Sequence, residues 1–225
     1  MTEEIFIVGI SGSPRKKGNT GLMVQKALEG ARRVKGVHTE LLDLSTMDIQ
    51  NCLGCEACRR KGSLCVTIKD DMEKIYPKLI SCSALIIGSP VYFGDVTGLV
   101  KGFMDRTTCL GGTPSKELQY SMKWKVGGAI AVGGTRHGGQ EFTLKTIHNF
   151  FLIHGMVVVS GIPSLGYWGA AGWALGKGDV LEDRVREIST TEICEDLGWR
   201  VAIAATYFEE GKKKLGVDLL YFTKK

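Results

Sequence analysis

Short apolar segments alternate with longer amphipathic segments along most of the chain. Five short segments, most of them apolar throughout and bounded by glycine, serine or aspartate, predict β-strands. They cover residues 5–10, 38–43, 84–88, 126–132 and 156–160. In the longer segments, apolar residues recur at the spacing of one helix face. These segments predict helices over residues 20–35, 70–82, a stretch ending near 109, 140–154 and 189–210.

The regular succession of strand and helix predicts the fold class. Five strands, each followed by a helix or crossover segment, favour an α/β fold, a doubly wound five-stranded parallel sheet with helices on both faces. We expect a single domain over residues 1–225. It carries a cysteine-rich loop after strand two at about 46–68 and a glycine- and tryptophan-rich insertion at about 162–180. Thr20 is the predicted cap of the first helix, and Pro77 is predicted to kink or break the second.

Composition and charge exclude several classes of protein. Hydrophobic residues make up 44% of the chain and charged residues 24%, which is ordinary for a globular protein. The formal net charge of +5 is mild and does not indicate nucleic-acid binding. No run approaches the ~20 apolar residues that cross a bilayer, and the acidic start does not resemble a signal peptide. We therefore expect a cytoplasmic protein, in which cysteines stay reduced unless they serve chemistry.

The loop after the first strand, SGSPRKKGNT at residues 11–20, combines the features of a phosphate site. In such sheets, ligands bind at the carboxyl ends of the strands. The loop offers hydroxyl and amide donors, three consecutive cations and two glycines, and the next helix directs its positive N-terminus to the same place. It contains neither the P-loop motif nor the G-x-G-x-x-G fingerprint of dinucleotide sites. A solvated basic turn is the alternative interpretation.

Three motifs in combination resemble a known family. The segments GISGSPRKKGNT, GSPVYFGDVTGLVKGFMDR and GGTRHGGQE look like the flavin loops of the NADPH-dependent FMN reductase and iron–sulfur flavoprotein group. The resemblance runs from residue 5 to the LGWRVA of the last helix, which is nearly the whole chain. It implies a flavodoxin-like sheet that holds FMN, with the phosphate at the first strand-to-helix loop.

The resemblance also implies a role for each matching position. The FMN phosphate would contact Ser11, Ser13, Arg15, Asn19 and Thr20. The isoalloxazine would be lined by Pro90, Val91, Tyr92, Phe93 and Gly94. The pyrimidine edge or ribityl chain would be approached by Gly133, Gly134, Thr135 and Gly139.

Two parts of this assignment have ordinary structural alternatives. Tyr92 and Phe93 would otherwise be core aromatics. Arg136 and His137 lie where positive charge stabilises a reduced flavin, or else they are solvated on a glycine loop. No catalytic side chain is assigned beyond this electrostatic role, because the chemistry centres on the flavin.

Four cysteines are concentrated in the segment NCLGCEACRRKGSLC at residues 51–65. Their pattern is Cys52-x2-Cys55-x2-Cys58-x6-Cys65, and consecutive C-x2-C-x2-C is the spacing by which a ferredoxin loop holds a 4Fe–4S cluster. Zinc and reduced structural or redox thiols are the alternatives. Since there is no second set, Cys65 would close the same cluster, and the compact set resembles the iron–sulfur flavoprotein branch. The other cysteines are interpreted as small buried residues: Cys82, Cys109 and Cys194.

Two cofactors imply an oxidoreductase that transfers electrons. The resemblance implies a ferredoxin-like donor, a 4Fe–4S cluster, FMN and a small-molecule acceptor. Arg59, Arg60 and Lys61 lie inside the cysteine loop and would dock an acidic ferredoxin, unless they are simply solvated.

Three other functions stay open, and the family favours an oligomer. The alternatives are an NAD(P)H-dependent FMN or quinone reductase without a functional cluster, a flavin or cluster redox sensor, and a zinc-stabilised binding module without flavin. The resemblance favours a homodimer or homotetramer. The apolar segment 167–179 would then cover the flavin or pack on a second subunit.

Overall fold

A parallel sheet occupies the centre of the protein in the computed structural model, which describes residues 4–112, 114–115, 118–162, 166–176 and 178–215. Its strands are β1 Ile5–Ser11, β2 Val37–Asp43, β3 Ala84–Pro90, β4 Val126–Gly133, β5 Val157–Val159 and β6 Ala170–Trp173. A separate antiparallel hairpin is formed by β7 Arg184–Val185 and β8 Ile188–Ser189.

The order of the strands identifies the topology. It runs β2-β1-β3-β4-β5, and every pair along this path is parallel. This is the order of the flavodoxin-like doubly wound sheet, in which the chain reverses direction across the sheet between β1 and β3. The fold class predicted from the sequence is confirmed.

The edge strand beside β4 is divided into two pieces, which the sequence did not predict. β5 pairs with residues 126–128 of β4, and β6 pairs with residues 130–133 further along the same strand. Gly169 precedes β6 with a φ of +133°, and a Cβ atom there would stand 2.3 Å from the carbonyl oxygen of Ala129. A glycine at this position therefore lets the returning chain approach β4.

The described ranges contain six α-helices, of which all but the one in the cysteine loop pack on the two faces of the sheet. They are α1 Asn19–Ala31, α2 Ala57–Lys61, α3 Met72–Ser81, α4 Gly98–Arg106, α5 Gln140–Ile153 and α6 Thr190–Leu215. One apolar core joins α1 and α6 to one face, and a second core joins α3, α4 and α5 to the other. No described helix is both long and apolar enough to cross a membrane.

Some predicted helix details are wrong. Gly18, not Thr20, is the N-cap of α1, and the helix ends at Ala31 rather than near residue 35. Pro77 does not break α3, which continues to Ser81. The short helix α2 inside the cysteine loop was not predicted, because five residues carry no helical periodicity.

Candidate functional site

A cleft of about 520 Å³ opens at the carboxyl ends of β1, β3 and β4. This is the edge of a doubly wound sheet at which ligands bind, and the volume is in the range of cofactor sites. The cleft is lined by Ser13, Arg15, Lys16, Gly18, Asn19, Thr20, Pro90, Val91, Tyr92, Val132, Gly133, Gly134, Ala174, Leu175 and Gly176.

The loop after β1 is fixed against β3 and α4. The Gly12 N–H donates to the Gly88 carbonyl at 2.8 Å, and the Thr97 hydroxyl donates to the Gly12 carbonyl at 2.8 Å. A Cβ atom on Gly12 would stand 1.9 Å from Cγ2 of Val100, so only glycine permits this close packing. The loop therefore reaches the cleft with a defined path.

The N-terminus of α1 supplies donors for an anion. Within the described chain no side chain caps this helix, and its first turn contains no acidic residue. The Ser13 hydroxyl accepts from the Arg15 N–H at 3.1 Å, and Arg15 and Lys16 line the cleft beside the helix end. Free helix N–H groups, a hydroxyl and two cations form a donor set that fits a phosphate group.

The Asn19 side chain has protein partners, and its predicted contact with the phosphate stays a prediction. Its Nδ2 donates to the Gly176 carbonyl at 2.8 Å, and its Oδ1 accepts from the Gly178 N–H at 2.7 Å. Asn19 still lines the cleft, but its amide fastens the segment after β6 over the phosphate loop. Ser11 is buried beneath that loop, and its predicted phosphate contact stays a prediction.

The loop after β3 forms one wall of the cleft through Pro90, Val91 and Tyr92. The backbone groups of Tyr92 and Asp95 exchange hydrogen bonds at 2.9 and 3.1 Å, which closes a tight turn. Phe93 and Gly94 form the tip of this turn with φ of 51° and 79°. Phe93 is fully exposed, so it is not a core aromatic.

The loop after β4 contributes Gly133 and Gly134 to the opposite wall, whereas Thr135 is exposed at the rim. A Cβ atom on Gly139 would stand 2.7 Å from Cα of Gly94. Gly139 therefore allows the two loops to touch each other. Its predicted contact with the flavin stays a prediction.

The positive charge predicted to act on the flavin has a protein partner. Arg136 forms an ion pair with Asp183 at 2.6 Å, and its guanidinium lies 4.4 Å from the ring centroid of Trp173. The pair neutralises the Arg136 charge and joins this loop to the segment after β6. His137 is exposed.

Part of the cleft is formed by residues 174–176, for which the sequence predicted no individual binding role. Ala174, Leu175 and Gly176 follow β6 and line the cleft next to Asn19, which hydrogen-bonds to Gly176. The apolar, glycine-rich composition of residues 167–179 indicated either a cover for the flavin or a contact with a second subunit. Val132 was missed, because as part of an apolar strand it shows no signal of a binding role.

The cysteine loop is anchored at its base by the two residues that precede α3. The Asp70 carboxylate accepts from the Gln50 N–H at 2.9 Å, and the Asp71 carboxylate accepts from the Asp48 N–H at 2.8 Å. Three left-handed positions then turn the chain around α2, namely Gly54, Glu56 and Gly62.

Cys52, Cys55, Cys58 and Cys65 line a second cavity of about 240 Å³. The first two are exposed and the last two are half-buried. A hydrogen bond with Thr67 and one from the Ala57 backbone lower the pKa of Cys55, whereas burial raises the pKa of Cys58. No three His, Cys, Asp or Glu side chains in the described ranges converge on one point as ligands of a single ion would.

The floor of this cavity contains two residues from the end of α4 and the turn that follows, Arg106 and Cys109. Cys109 was interpreted as a small core residue; it is buried, but it also lies beside Cys58 and Cys65. The Arg106 Nε is buried and has no hydrogen-bond partner among the described residues. Four thiols around an unused buried cationic donor form a set that fits an anionic, sulfur-rich group.

One helix connects the two sites. The N-cap of α4, Thr97, binds the phosphate loop, and its last residue, Arg106, lies in the cysteine cavity. Nine helical residues at about 1.5 Å each span roughly 13 Å.

Comparison with known proteins identifies the family of this chain. Residues 5–169 match the family of NADPH-dependent FMN reductases. An iron–sulfur flavoprotein of Methanocaldococcus jannaschii is 40% identical over 87% of this chain and 95% of its own length. One from Methanosarcina thermophila is 35% identical over 85% of this chain and 94% of its own.

A solved structure shows the same fold at lower similarity. A WrbA-like flavodoxin from Agrobacterium tumefaciens has a TM-score of 0.57 and 22% identity over 91% of this chain and 98% of its own. The family matches cover the phosphate loop, both walls of the cleft and the cysteine loop, and they confirm the resemblance found in the sequence. The chain is therefore a flavoprotein that belongs to the NADPH-dependent FMN reductase family, in its iron–sulfur flavoprotein branch.

Proposed function

We propose that this protein is an electron-transfer oxidoreductase that holds FMN in the cleft and a 4Fe–4S cluster on the cysteine loop. It accepts single electrons from a ferredoxin-like donor and delivers electron pairs to a small acceptor. The observation that carries the proposal is the presence of both a phosphate-binding cleft and a four-cysteine cavity at the two ends of α4.

The cleft has the residues needed to hold FMN in one orientation. The α1 N-terminus, Ser13 and Arg15 form the end of the cleft that would bind the FMN phosphate. Pro90, Val91 and Tyr92 form an apolar wall for a flat ring. When bound, FMN supplies two-electron chemistry and the cluster supplies one-electron chemistry.

The cysteine loop has the residues needed to hold a cluster and meet a donor. The loop spacing places three cysteines around α2, and the return from Gly62 brings Cys65 to the same cavity. Arg59, Arg60 and Lys61 are exposed on α2. An exposed cationic patch beside the cavity supports docking of an acidic ferredoxin through electrostatic steering.

The test is reduction of anaerobically purified protein by reduced ferredoxin. We expect about four iron atoms and one FMN per chain, and flavin reduction by ferredoxin that slows as salt screens the docking patch. The control is a triple variant of Arg59, Arg60 and Lys61 to Gln, which keeps both cofactors but loses the salt dependence. If protein reconstituted with iron and sulfide binds FMN but no iron, the proposal of a cluster is contradicted. If the protein binds no flavin, the whole proposed function is contradicted.

A second candidate is an NAD(P)H-dependent FMN or quinone reductase in which the cysteines are secondary. The family description supports it, because the matched family is named for NADPH-dependent reduction of FMN. Stopped-flow reduction by NADPH and by reduced ferredoxin distinguishes the two. Faster reduction by NADPH that survives Cys58→Ala would favour this candidate.

A further inference from the structure

Arg106 is the cationic group at the floor of the cysteine cavity. It is the last residue of α4, and its side chain is 1% exposed. The apolar core beneath it contains Phe103 and Tyr76, whose hydroxyl donates to the Arg106 carbonyl at 2.9 Å. A guanidinium buried this deeply needs acceptors for its donors, because a bare charge would be costly to remove from water.

Most of those donors have partners. Nη1 and Nη2 both donate to the Asp70 carboxylate, and the distance from Nη2 is 3.0 Å. Nη1 also donates to the Gln50 carbonyl at 3.0 Å. Burial alone would lower the pKa of Arg106, but the hydrogen bonds to Asp70 and the nearby Tyr76 and Cys65 raise it. The side chain therefore stays charged, and its nominal charge is balanced by Asp70.

Nε is the guanidinium nitrogen that has no partner at all among the described residues, and it is buried. An unpaired buried donor on a charged group costs more than a lost neutral hydrogen bond. Arg106 lines the cavity of Cys52, Cys55, Cys58 and Cys65, so a group bound in that cavity is the candidate acceptor for this donor.

We infer that Arg106 is a positioning residue for the cluster, and that its Nε–H donates a hydrogen bond to a sulfur of the 4Fe–4S group or its thiolates. This rests on the proposed function. Thiolate and sulfide sulfurs are acceptors, and hydrogen bonds to them stabilise the more negative, reduced state and raise the reduction potential. Because the Arg106–Asp70 pair is neutral as a unit, its effect on the cluster comes through this donor.

The direct test compares the wild-type protein with a variant that lacks Arg106. Both proteins are labelled with 15N in arginine and reconstituted anaerobically with iron and sulfide, and the reduced cluster of each is studied by pulsed electron paramagnetic resonance. We expect a 15N coupling to the cluster spin that is lost in the Arg106→Met/Asp70→Asn double variant, whereas a coupling that persists unchanged there comes from Arg59, which lines the same cavity, and overturns the inference. Absence of an arginine nitrogen coupling in iron-replete protein overturns the inference.

Two variants separate the hydrogen bond from the charge. Arg106→Met combined with Asp70→Asn removes the pair without changing its net charge, so the loss of the donor should lower the potential. We expect about a tenfold fall in the ratio of reduced to oxidised cluster at fixed ambient potential, about 59 mV for one electron. Asp70→Asn alone keeps the donor and removes a negative charge, so it should shift the ratio in the opposite direction.

Failure of the inference differs from failure of the proposed function. If the double variant retains iron and its potential equals that of the wild type, Arg106 acts only through packing and the inference is overturned. If wild-type protein binds FMN but takes up no iron, both the proposed cluster and the inference about Arg106 are contradicted.

Discussion

Gly198 of α6 lies directly against the backbone of Ala27 in α1, where a Cβ atom would stand 1.7 Å from the Ala27 carbonyl oxygen. Gly30 makes the reciprocal contact one turn away, since a Cβ atom there would stand 2.0 Å from the Glu195 carbonyl oxygen. The two helices can therefore cross at backbone distance on one face of the sheet. This contact holds α1, and with it the phosphate loop, against the last helix.

We expect Gly198→Ala to destabilise the protein by about 1–3 kcal/mol, the usual cost of overpacking, because the helices must separate. Gly211→Ala in the same helix is the matched control, since a Cβ atom there meets nothing within 4 Å. It should stabilise the protein by about 0.5–1 kcal/mol through helix propensity. Urea unfolding measures both. Equal changes in the unfolding free energy of the two variants would contradict the backbone contact between α1 and α6.

Removal of a cation from the phosphate loop should weaken FMN but not riboflavin. Arg15 lines the cleft, and Arg15→Gln should raise the FMN dissociation constant about tenfold, the loss of roughly 1.4 kcal/mol expected for a charge-assisted contact. Riboflavin lacks the phosphate, so its affinity should not change. Lys17, which is exposed and does not line the cleft, provides the control Lys17→Gln. Fluorescence titration of both flavins measures the dissociation constants. An equal loss of affinity for riboflavin would show that Arg15 does not act on the phosphate.

Cys58→Ala should abolish iron binding and leave FMN bound, because the cleft and the cysteine cavity share no lining residue. Iron assay and the flavin absorbance of anaerobically reconstituted protein measure the two cofactors. Cys82→Ala is the control, since Cys82 is buried beyond the end of α3 and its thiol donates to the Leu79 carbonyl. Simultaneous loss of iron and FMN in Cys58→Ala would show that the cluster is needed for folding.

His154 should make stability depend on pH in the acid range. Burial lowers its pKa from 6.5 to about 4. The Thr107 hydroxyl donates its single proton to the Met104 carbonyl, so the His154 Nε2–H must donate to Thr107 at 2.9 Å. Below pH 6.5 the unfolded chain binds the proton that the folded state excludes, and stability falls as the pH drops towards 4.

The lowering of the His154 pKa from 6.5 to about 4 corresponds to about 3 kcal/mol of folding free energy, because each pKa unit is worth about 1.4 kcal/mol. His154→Gln should therefore remove this part of the pH dependence while lowering stability at pH 7. Urea unfolding of both proteins between pH 7 and 4 measures the difference. Parallel curves would show that His154 is not held neutral by the fold.

Local patterns were enough to predict the strands of the path β2-β1-β3-β4-β5 and the main segments that line the cleft and the cysteine cavity. Continuous apolar runs such as residues 84–88 and 126–132 specify strands buried on both faces, because burial selects apolar side chains whatever the partner strand is. The phosphate loop was also evident, because its donors and cations are consecutive in the chain. The cysteine spacing is likewise local, and all four thiols line one cavity.

Contacts between distant parts of the chain were not predictable. The Asn19 amide bonds to Gly176 and Gly178, about 160 residues away, and Arg136 pairs with Asp183 across the same insertion. No periodicity records where an insertion returns to the sheet. The sequence therefore could not show that the side chains of Asn19 and Arg136 have protein partners in addition to any cofactor.

The sequence by itself determined five of the six strands of the parallel sheet and most of the residues that line the cleft and the cysteine cavity, because these depend on local composition and spacing. Only the tertiary structure decided that β6 completes the sheet edge and that α4 ends with Arg106 and Cys109 at the cysteine cavity. The physical reason is that burial of Arg106 depends on Asp70, 36 residues away, and such an ion pair forms only when the packed core brings the two side chains together.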